Sequence, residues 1–391
     1  MSEEKMDLEN VRNKFLIMKT SLNAAFMERS EAIEIAQLSM ISGTNPLFLG
    51  PPGTAKSAVF NAIMAHVGGA RKMGKLITQF TTEDELIGPP RLSALKNDIF
   101  DRNLDGGLAG VECAFLDEIF KGSSSILNTT LSCLNEHTYN GKSVPLRMAV
   151  AASNELPTDE ILGAINDRFL LRAMVGDIES DANFSSLLAS ASSVAKRSYV
   201  PASGSSISLA EWDAARDAAA TVGLPNAVIA ECARVRKALK SKGLYVSPRR
   251  WTMMVRVLQA SAWLDGSTDV ELDHLSVLKA GLWTNMDDRN TVASVIDTID
   301  AGVLKQIVDL ADDALRLAEG LANMDAANRR DKLPEVGGKL TGAGEKIKAL
   351  VQAGVGKRAK SKAKEKLTEL RSAYTLIEKE LASRMSLSMD L

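Results

Sequence analysis

The strongest chemistry in the chain lies in Gly50-Pro51-Pro52-Gly53-Thr54-Ala55-Lys56-Ser57. A short apolar run, Pro46–Leu49, precedes these residues, and a helical pattern begins near Lys56. A strand that feeds a glycine-rich turn and then opens a helix aims successive backbone N–H groups at one point, where the helix terminus adds positive potential. Such a point suits a phosphate group. Lys56 then supplies a point charge for β- and γ-phosphates, and Ser57 a hydroxyl for Mg²⁺. The strict pattern has glycine immediately before the lysine. Here Ala55 stands in that place, a side chain small enough to read as a variation.

A second group of residues adds to this. Ala114-Phe115-Leu116-Asp117-Glu118 sets two carboxylates at the C-terminal end of an apolar strand, the edge at which open α/β sheets bind ligands. Asp117 is placed to hold the Mg²⁺ shell through water, and Glu118 to polarise an attacking water as general base. Ala151-Ala152-Ser153-Asn154-Glu155 ends another strand in a polar amide that can orient the water or touch the γ-phosphate. Asn166-Asp167-Arg168-Phe169 precedes a further strand, and Val246-Ser247-Pro248-Arg249-Arg250-Trp251 opens a helix.

The elements that must carry these groups are legible in the hydrophobic pattern. Residues 7–41 read as helix, with Leu8, Val11, Phe15, Met18, Leu22 and Phe26 recurring at three and four. Strands are expected at Pro46–Leu49, Leu76–Phe80, Cys113–Leu116, Met148–Ala152 and Phe169–Val175, with a helix over Ser124–Glu136. Near-continuous apolar strands alternating with helices argue a parallel sheet covered on both faces. From about residue 178 the strands stop, and helical stretches follow at Ser186–Lys196, Leu209–Thr221, Val228–Ser241, Pro248–Leu264 and Leu272–Trp283. A long seam from Val292 to Leu321 comes next, including Ile307, Leu310, Ala314 and Leu317. Pro334-Glu335-Val336-Gly337-Gly338 is expected to break it, before a second seam of Leu367, Leu370, Tyr374, Ile377 and Leu381. Three parts result: an α/β nucleotide-binding domain over 1–177, an all-α lid over 178–286, and a C-terminal helical hairpin or three-helix arm over 287–391.

Composition sets the outer bounds. The chain has 391 residues, 45% hydrophobic and 25% charged, which is ordinary for a soluble globular protein of two or three units. A net charge of −2 gives no global basic field for coating nucleic acid. The basic tract Lys357–Lys366 contains no aromatic residue for stacking on single strands, so nucleic acid is not the expected partner. The 3 cysteines, Cys113, Cys133 and Cys232, are far apart, and no zinc spacing exists. The N-terminus is acidic and polar, and no long apolar run is present, so a cytoplasmic chain with no membrane span is expected.

The order of phosphate loop, acidic strand end, strand-end asparagine, Asp-Arg-Phe and Ser-Pro-Arg-Arg helix start resembles an AAA+ ATPase of the MoxR family, with the RavA-type branch nearest. The likeness is specific at Phe48–Ser57, Ala114–Glu136, Val150–Pro157 and Val246–Trp251, and spans about residues 8–285. It implies an AAA+ P-loop parallel-sheet domain with an all-α lid. It also implies ATP and Mg²⁺ as cofactors, with Gly50 to Ser57 as the Walker A site and Asp117 and Glu118 as the Walker B site. Asn154 becomes sensor 1, Arg168 an arginine finger reaching the next subunit, and Arg249 sensor 2 acting in its own subunit. Arg172 is a rival finger. Glu85–Glu112 resembles the insert before the Walker B strand, and Thr138–Leu146 the pre-sensor hairpin. The family implies a homo-hexameric ring that hydrolyses ATP to remodel or activate a client protein beside a von Willebrand factor A domain partner. Two other readings stand beside this one: a motor subunit of a metal chelatase-like complex, and a nucleic-acid-associated ATPase using the basic C-terminal tract.

Overall fold

The computed structural model describes residues 6–157, 166–192, 199–322, 324, 326–352 and 357–387. Helix α1, Leu8–Ala25, starts at Asp7, whose carboxylate accepts from the N–H groups of Glu9 and Asn10. Its buried stripe is Val11, Phe15, Met18 and Leu22. The single helix expected over 7–41 is in fact two. The chain breaks after α1, Glu28 takes a left-handed backbone (φ +55°), and α2 resumes over Ser30–Ser42. The corner lies at residues 26–29.

Strand β1 (Asn45–Leu49) leads through the loop at 50–55 into α3 (Lys56–Ala65). Next come β2 (Val67–Gly68) and β3 (Lys72–Leu76), then two single-turn helices, α4 (Glu83–Leu86) and α5 (Leu92–Leu95). They are followed by β4 (Cys113–Asp117), α6 (Ser124–Asn135), the hairpin β5 (Thr138–Tyr139) and β6 (Lys142–Ser143), β7 (Met148–Ser153) and β8 (Phe169–Met174). Five strands form one sheet in the order β3-β4-β7-β1-β8, every adjacent pair parallel. This is the expected α/β core. Strand β3 lies earlier than the expected Leu76–Phe80. As an edge strand it is half-exposed, so it reads Lys72-Met73-Gly74-Lys75-Leu76 instead of as a buried apolar run. The hairpin turn at Asn140-Gly141 has both residues at positive φ, as its tight reversal requires.

Beyond the sheet lie α7 (Asp181–Ser192), β9 (Ile207–Ser208), α8 (Leu209–Ala220), α9 (Asn226–Ser241) and α10 (Pro248–Leu264). Part of the expected helix Ser186–Lys196 falls outside the described residues. The strands do not all stop at 178, because β9 pairs in parallel with β2. A 3₁₀ segment over Leu272–Ala280 replaces the α-helix expected there.

The chain ends in three long helices, α11 (Met286–Ala322), α12 (Ala326–Gln352) and α13 (Lys357–Leu387). Pro334 does not break the chain but lies inside α12. Leu333, Val336, Leu340, Ala343 and Ile347 give that helix a buried face against Ile307, Ala311, Ala314 and Leu321 of α11 and Ala363, Leu370 and Ile377 of α13. That burial outweighs the cost of the proline. Among the described residues of the expected seams, Leu317 and Tyr374 remain exposed, while Ala311 joins the core instead.

By contact the chain forms two compact units. One comprises 1–223, 246–268 and 277–289, and the other 224–245, 269–276 and 290–391. These lines differ from the three-part division at 177/178 and 286/287. Residues 178–223 and helix α10 cluster with the sheet, whereas α9 clusters with the three long helices. Among the described residues no helix is long and apolar enough to cross a membrane.

Candidate nucleotide site

Strand register brings the predicted groups to one edge. Leu49 of β1 lies opposite Ser153 of β7 and Met174 of β8. The Gly50 N–H donates to the Ser153 carbonyl at 3.1 Å, so the loop leaves the sheet beside Asn154. Two strands from β1, Leu116 of β4 lies opposite Ala151, which sets Asp117 and Glu118 at the same C-terminal edge.

The loop's shape is enforced locally. Gly50 has φ +154°, and a Cβ there would overlap the Val175 carbonyl. The Thr54 hydroxyl donates to the Pro51 carbonyl at 2.9 Å. Ala55 sits at φ +70° and is the N-cap of α3 without a side-chain bond, leaving that terminus open to an anion. Lys56 is buried. Its Nζ donates to the Gly50 carbonyl at 2.6 Å and the Pro51 carbonyl at 2.8 Å. Burial lowers its pKa from the usual lysine value, and the charges of Asp117 and Glu118 oppose that shift. Lys56 therefore lies within the electrostatic influence of the two carboxylates. Pro51, Pro52, Gly53 and Ser57 are exposed.

Asp117 is half-buried and accepts the Glu118 N–H at 3.1 Å. Glu118 has a left-handed backbone, φ +53°, and its carboxylate meets Lys121 Nζ at 3.3 Å. Asn154 is exposed at the strand end, where the Ser153 hydroxyl fixes the turn by donating to the Glu155 carbonyl at 2.7 Å. The donor set fits Mg²⁺-nucleotide. One hydroxyl and one carboxylate suit a metal that keeps most of its water and takes the rest of its shell from phosphates. Among the described residues no group of His, Cys, Asp or Glu forms an all-protein metal cage.

The arginines form a second charge centre. Arg168 is half-buried, and its Nε lacks a hydrogen-bond partner. Burial and then the neighbouring Arg249 guanidinium lower its pKa, and Asp167 opposes them. Arg249 itself is exposed at the start of α10. Arg172 is not available as a finger. It is fully buried, stacks over Trp283 at 5.3 Å, and donates to the Trp283 carbonyl and, at 3.1 Å, to the Asn166 side chain.

Two further arginines carry roles the sequence reading did not assign. Arg29, at the corner before α2, donates to the Thr54 carbonyl at 3.0 Å and the Gly176 carbonyl at 2.9 Å, bracing the phosphate loop against β8's exit. The one signal for it in the sequence is the polar run Glu28-Arg29-Ser30, inside the span expected as one helix. Arg250, buried beside exposed Arg249, donates to Asp167 at 3.0 Å. The sequence offers only an Arg-Arg pair, with nothing to say which member turns inward.

Comparison with known proteins bears on the family and the fold. A family model described as the MoxR domain in the MoxR-vWA-beta-propeller ternary systems matches residues 13–211, and one for an AAA lid domain matches 227–296. An uncharacterised protein of Methanocaldococcus jannaschii is 38% identical over 330 residues, 83% of each chain. A second from that organism is 38% identical over 276 residues, covering 69% of this chain and 72% of its own. A structural protein of Acidianus two-tailed virus is 29% identical over 183 residues, 44% of this chain and 29% of its own length. A crystal structure of a candidate ATPase from Cytophaga hutchinsonii superimposes with a TM-score of 0.60 at 16% identity, covering 75% of this chain and 94% of that one, which shows a shared fold.

Proposed function

Since the chain belongs to the MoxR family of AAA+ ATPases, we propose that it hydrolyses ATP to ADP and phosphate in a ring, using that work to remodel or activate a client protein. The observation that carries this reading is the meeting of the Gly50–Ser57 loop, the Asp117–Glu118 pair and Asn154 at one sheet edge, tied by the Gly50–Ser153 hydrogen bond.

Within one chain, the loop N–H groups and Lys56 neutralise phosphate charge. Ser57 and Asp117 would hold Mg²⁺, Asp117 through water, and the ion would supply positive charge against the phosphates. Glu118 takes the proton of the attacking water once it leaves Lys121, and Asn154 orients that water. The charges acting on Lys56 are those of Asp117 and Glu118, while those acting on Arg168 are Arg249 and Asp167. On this reading the two groups complete each other across a subunit boundary. Arg168 then serves as the finger on a neighbour's γ-phosphate. Arg249 accompanies it there, in place of the own-subunit role first expected of it. A homo-hexamer is the ring this reading implies.

The family model's description, with its MoxR-vWA ternary systems, supports a von Willebrand factor A domain partner. A cytoplasmic site of action and a place near the RavA-type branch complete the reading. The nucleic-acid alternative is disfavoured at the basic tract, where Lys362 pairs with Glu365, and Lys366 with Asp312 and Glu369.

The test compares Lys56→Ala with Glu118→Gln in nucleotide binding and phosphate release. Lys56→Ala is expected to weaken binding. Glu118→Gln is expected to keep binding and lower turnover by about 10²–10⁴-fold. Wild-type turnover in Glu118→Gln would remove the base from the scheme.

A further inference from the structure

The turn that carries Arg168 is gripped on both sides by buried guanidinium groups. Asn166, immediately before Asp167, receives Arg172 on its backbone carbonyl at 3.2 Å and its side-chain oxygen at 3.1 Å. Asp167 receives Arg250 at 3.0 Å. Arg250 also donates to the Leu170 carbonyl at 2.9 Å and to the Gly281 carbonyl. One side chain of α10 thus ties the turn, the first residues of β8 and the segment at 281 together. Arg172 ties the same turn to Trp283. Both side chains are almost wholly inaccessible. Burying two cations is expensive unless each N–H finds an acceptor. Four backbone carbonyls, one carboxylate and one amide meet most of that demand on and around a single turn, with Arg172 Nε left without an acceptor.

The arrangement has a consequence for the exposed neighbours. Asp167 is adjacent to Arg168, and Arg250 to Arg249, so the Asp167–Arg250 bond draws Arg168 and Arg249 together. Two guanidinium groups repel when brought close; burial and then the Arg249 charge lower the Arg168 pKa, and its Nε lacks a hydrogen-bond partner. An anion placed between the two groups would relieve the repulsion.

We infer that Asp167 and Arg250 form a positioning pair that holds Arg168 and Arg249 as one two-arginine receptor for the γ-phosphate of the neighbouring subunit. This rests on reading Arg168 as the finger. Neither member of the pair touches nucleotide; each acts by fixing where its sequence neighbour points. Because Arg250 belongs to α10 and Asp167 to the approach to β8, a movement of α10 carries both guanidinium groups with it.

The experiment uses full-length protein. Asp167→Asn keeps an oxygen acceptor for Arg250 and removes the charge. Asp167→Glu keeps the charge and displaces it by one methylene. Both are expected to leave the KM for ATP within about twofold and to lower kcat on the order of 10²-fold, the scale of a misplacement near 1 Å. Each variant is then mixed with Lys56→Ala subunits, which lack a phosphate-binding lysine but carry an intact arginine centre. Activity above the sum of the two components is expected, because each Asp167 variant can then offer its nucleotide to an intact neighbour. Arg168→Ala mixed with Lys56→Ala is the control. Failure of that control to recover activity would overturn the finger reading itself. If the control recovers, wild-type kcat in both Asp167 variants, or loss of activity that mixing does not restore, would overturn the positioning pair alone.

Discussion

Ala55 holds a left-handed backbone position next to Lys56, where the phosphate-loop pattern has glycine. A Cβ in that region carries a steric cost of about 1–2 kcal/mol, and glycine loses about 0.5–1 kcal/mol more backbone entropy on folding. Ala55→Gly is therefore expected to stabilise the protein by about 0.5–1 kcal/mol in urea unfolding. A net loss would mean that the Ala55 methyl packs favourably enough to offset its backbone strain. The loop and the acidic strand end were legible because their chemistry requires fixed residue types at fixed spacing. Arg29 and Arg250 were not, since their partners are mostly backbone carbonyls, which leave no trace in a sequence. The cysteines show the same dependence on environment. Burial pushes the thiols of Cys113 and Cys133 up to about 12 and that of Cys232 up to about 11. At pH 8 the thiolate fraction is then about 10⁻³ or less at each, and thiolate is the reactive form. An aromatic disulfide reagent is expected to label the native protein slowly and the urea-unfolded protein rapidly. Prompt labelling of any native cysteine would contradict the burial assigned to it.

Elements were legible in proportion to how fully they are buried. The central strands β1, β4 and β7 are nearly continuous apolar runs and lie within a residue of their expected bounds. Strand β3 was displaced because an edge strand with lysines at 72 and 75 carries no such run, whereas Ile77, just beyond it, is buried and apolar. Pro334 misled for the opposite reason. Proline costs about 3 kcal/mol in a helix interior, so a break was the local expectation. Leu333 and Val336 are buried on either side of it, and the three-helix core holds the backbone helical regardless. Pro334→Ala restores an N–H donor and removes the clash with the preceding turn. It is expected to stabilise the helical arm by about 1–3 kcal/mol, read as an upward shift in that unit's thermal transition, with ATP turnover unchanged. No shift would mean that the helix has already relaxed around the proline at little cost.

At the scale of the whole molecule, the residues assigned to nucleotide chemistry all fall in one compact unit: the 50–57 loop, Asp117, Glu118, Asn154, Arg168 and Arg249. The other unit joins α9, residues 269–276 and the three long helices, with Leu272 packed on the core of Ile307, Leu333 and Leu370. Its helices are also linked by charge: Lys366 of α13 meets Asp312 of α11 at 2.9 Å and Glu369 at 2.8 Å. We propose a division of labour, with hydrolysis in the first unit and partner or client engagement in the second. Truncation after residue 289 removes the three-helix core but leaves every nucleotide-site residue in place. The truncated protein is expected to bind a fluorescent ATP analogue with an affinity within about threefold of the full chain, half a kcal/mol or so on the usual logarithmic scale. It is also expected to lose capture of a von Willebrand factor A domain partner. Leu272 and the buried positions of α9 (Val228, Val235 and Leu239) belong to the unit that has lost its core, so increased binding of a hydrophobic dye and protease cleavage within 224–245 should accompany the truncation. Loss of nucleotide binding in a truncated protein whose sheet unit still unfolds cooperatively would show that the arm contributes to the motor, and the division between the two units would fall.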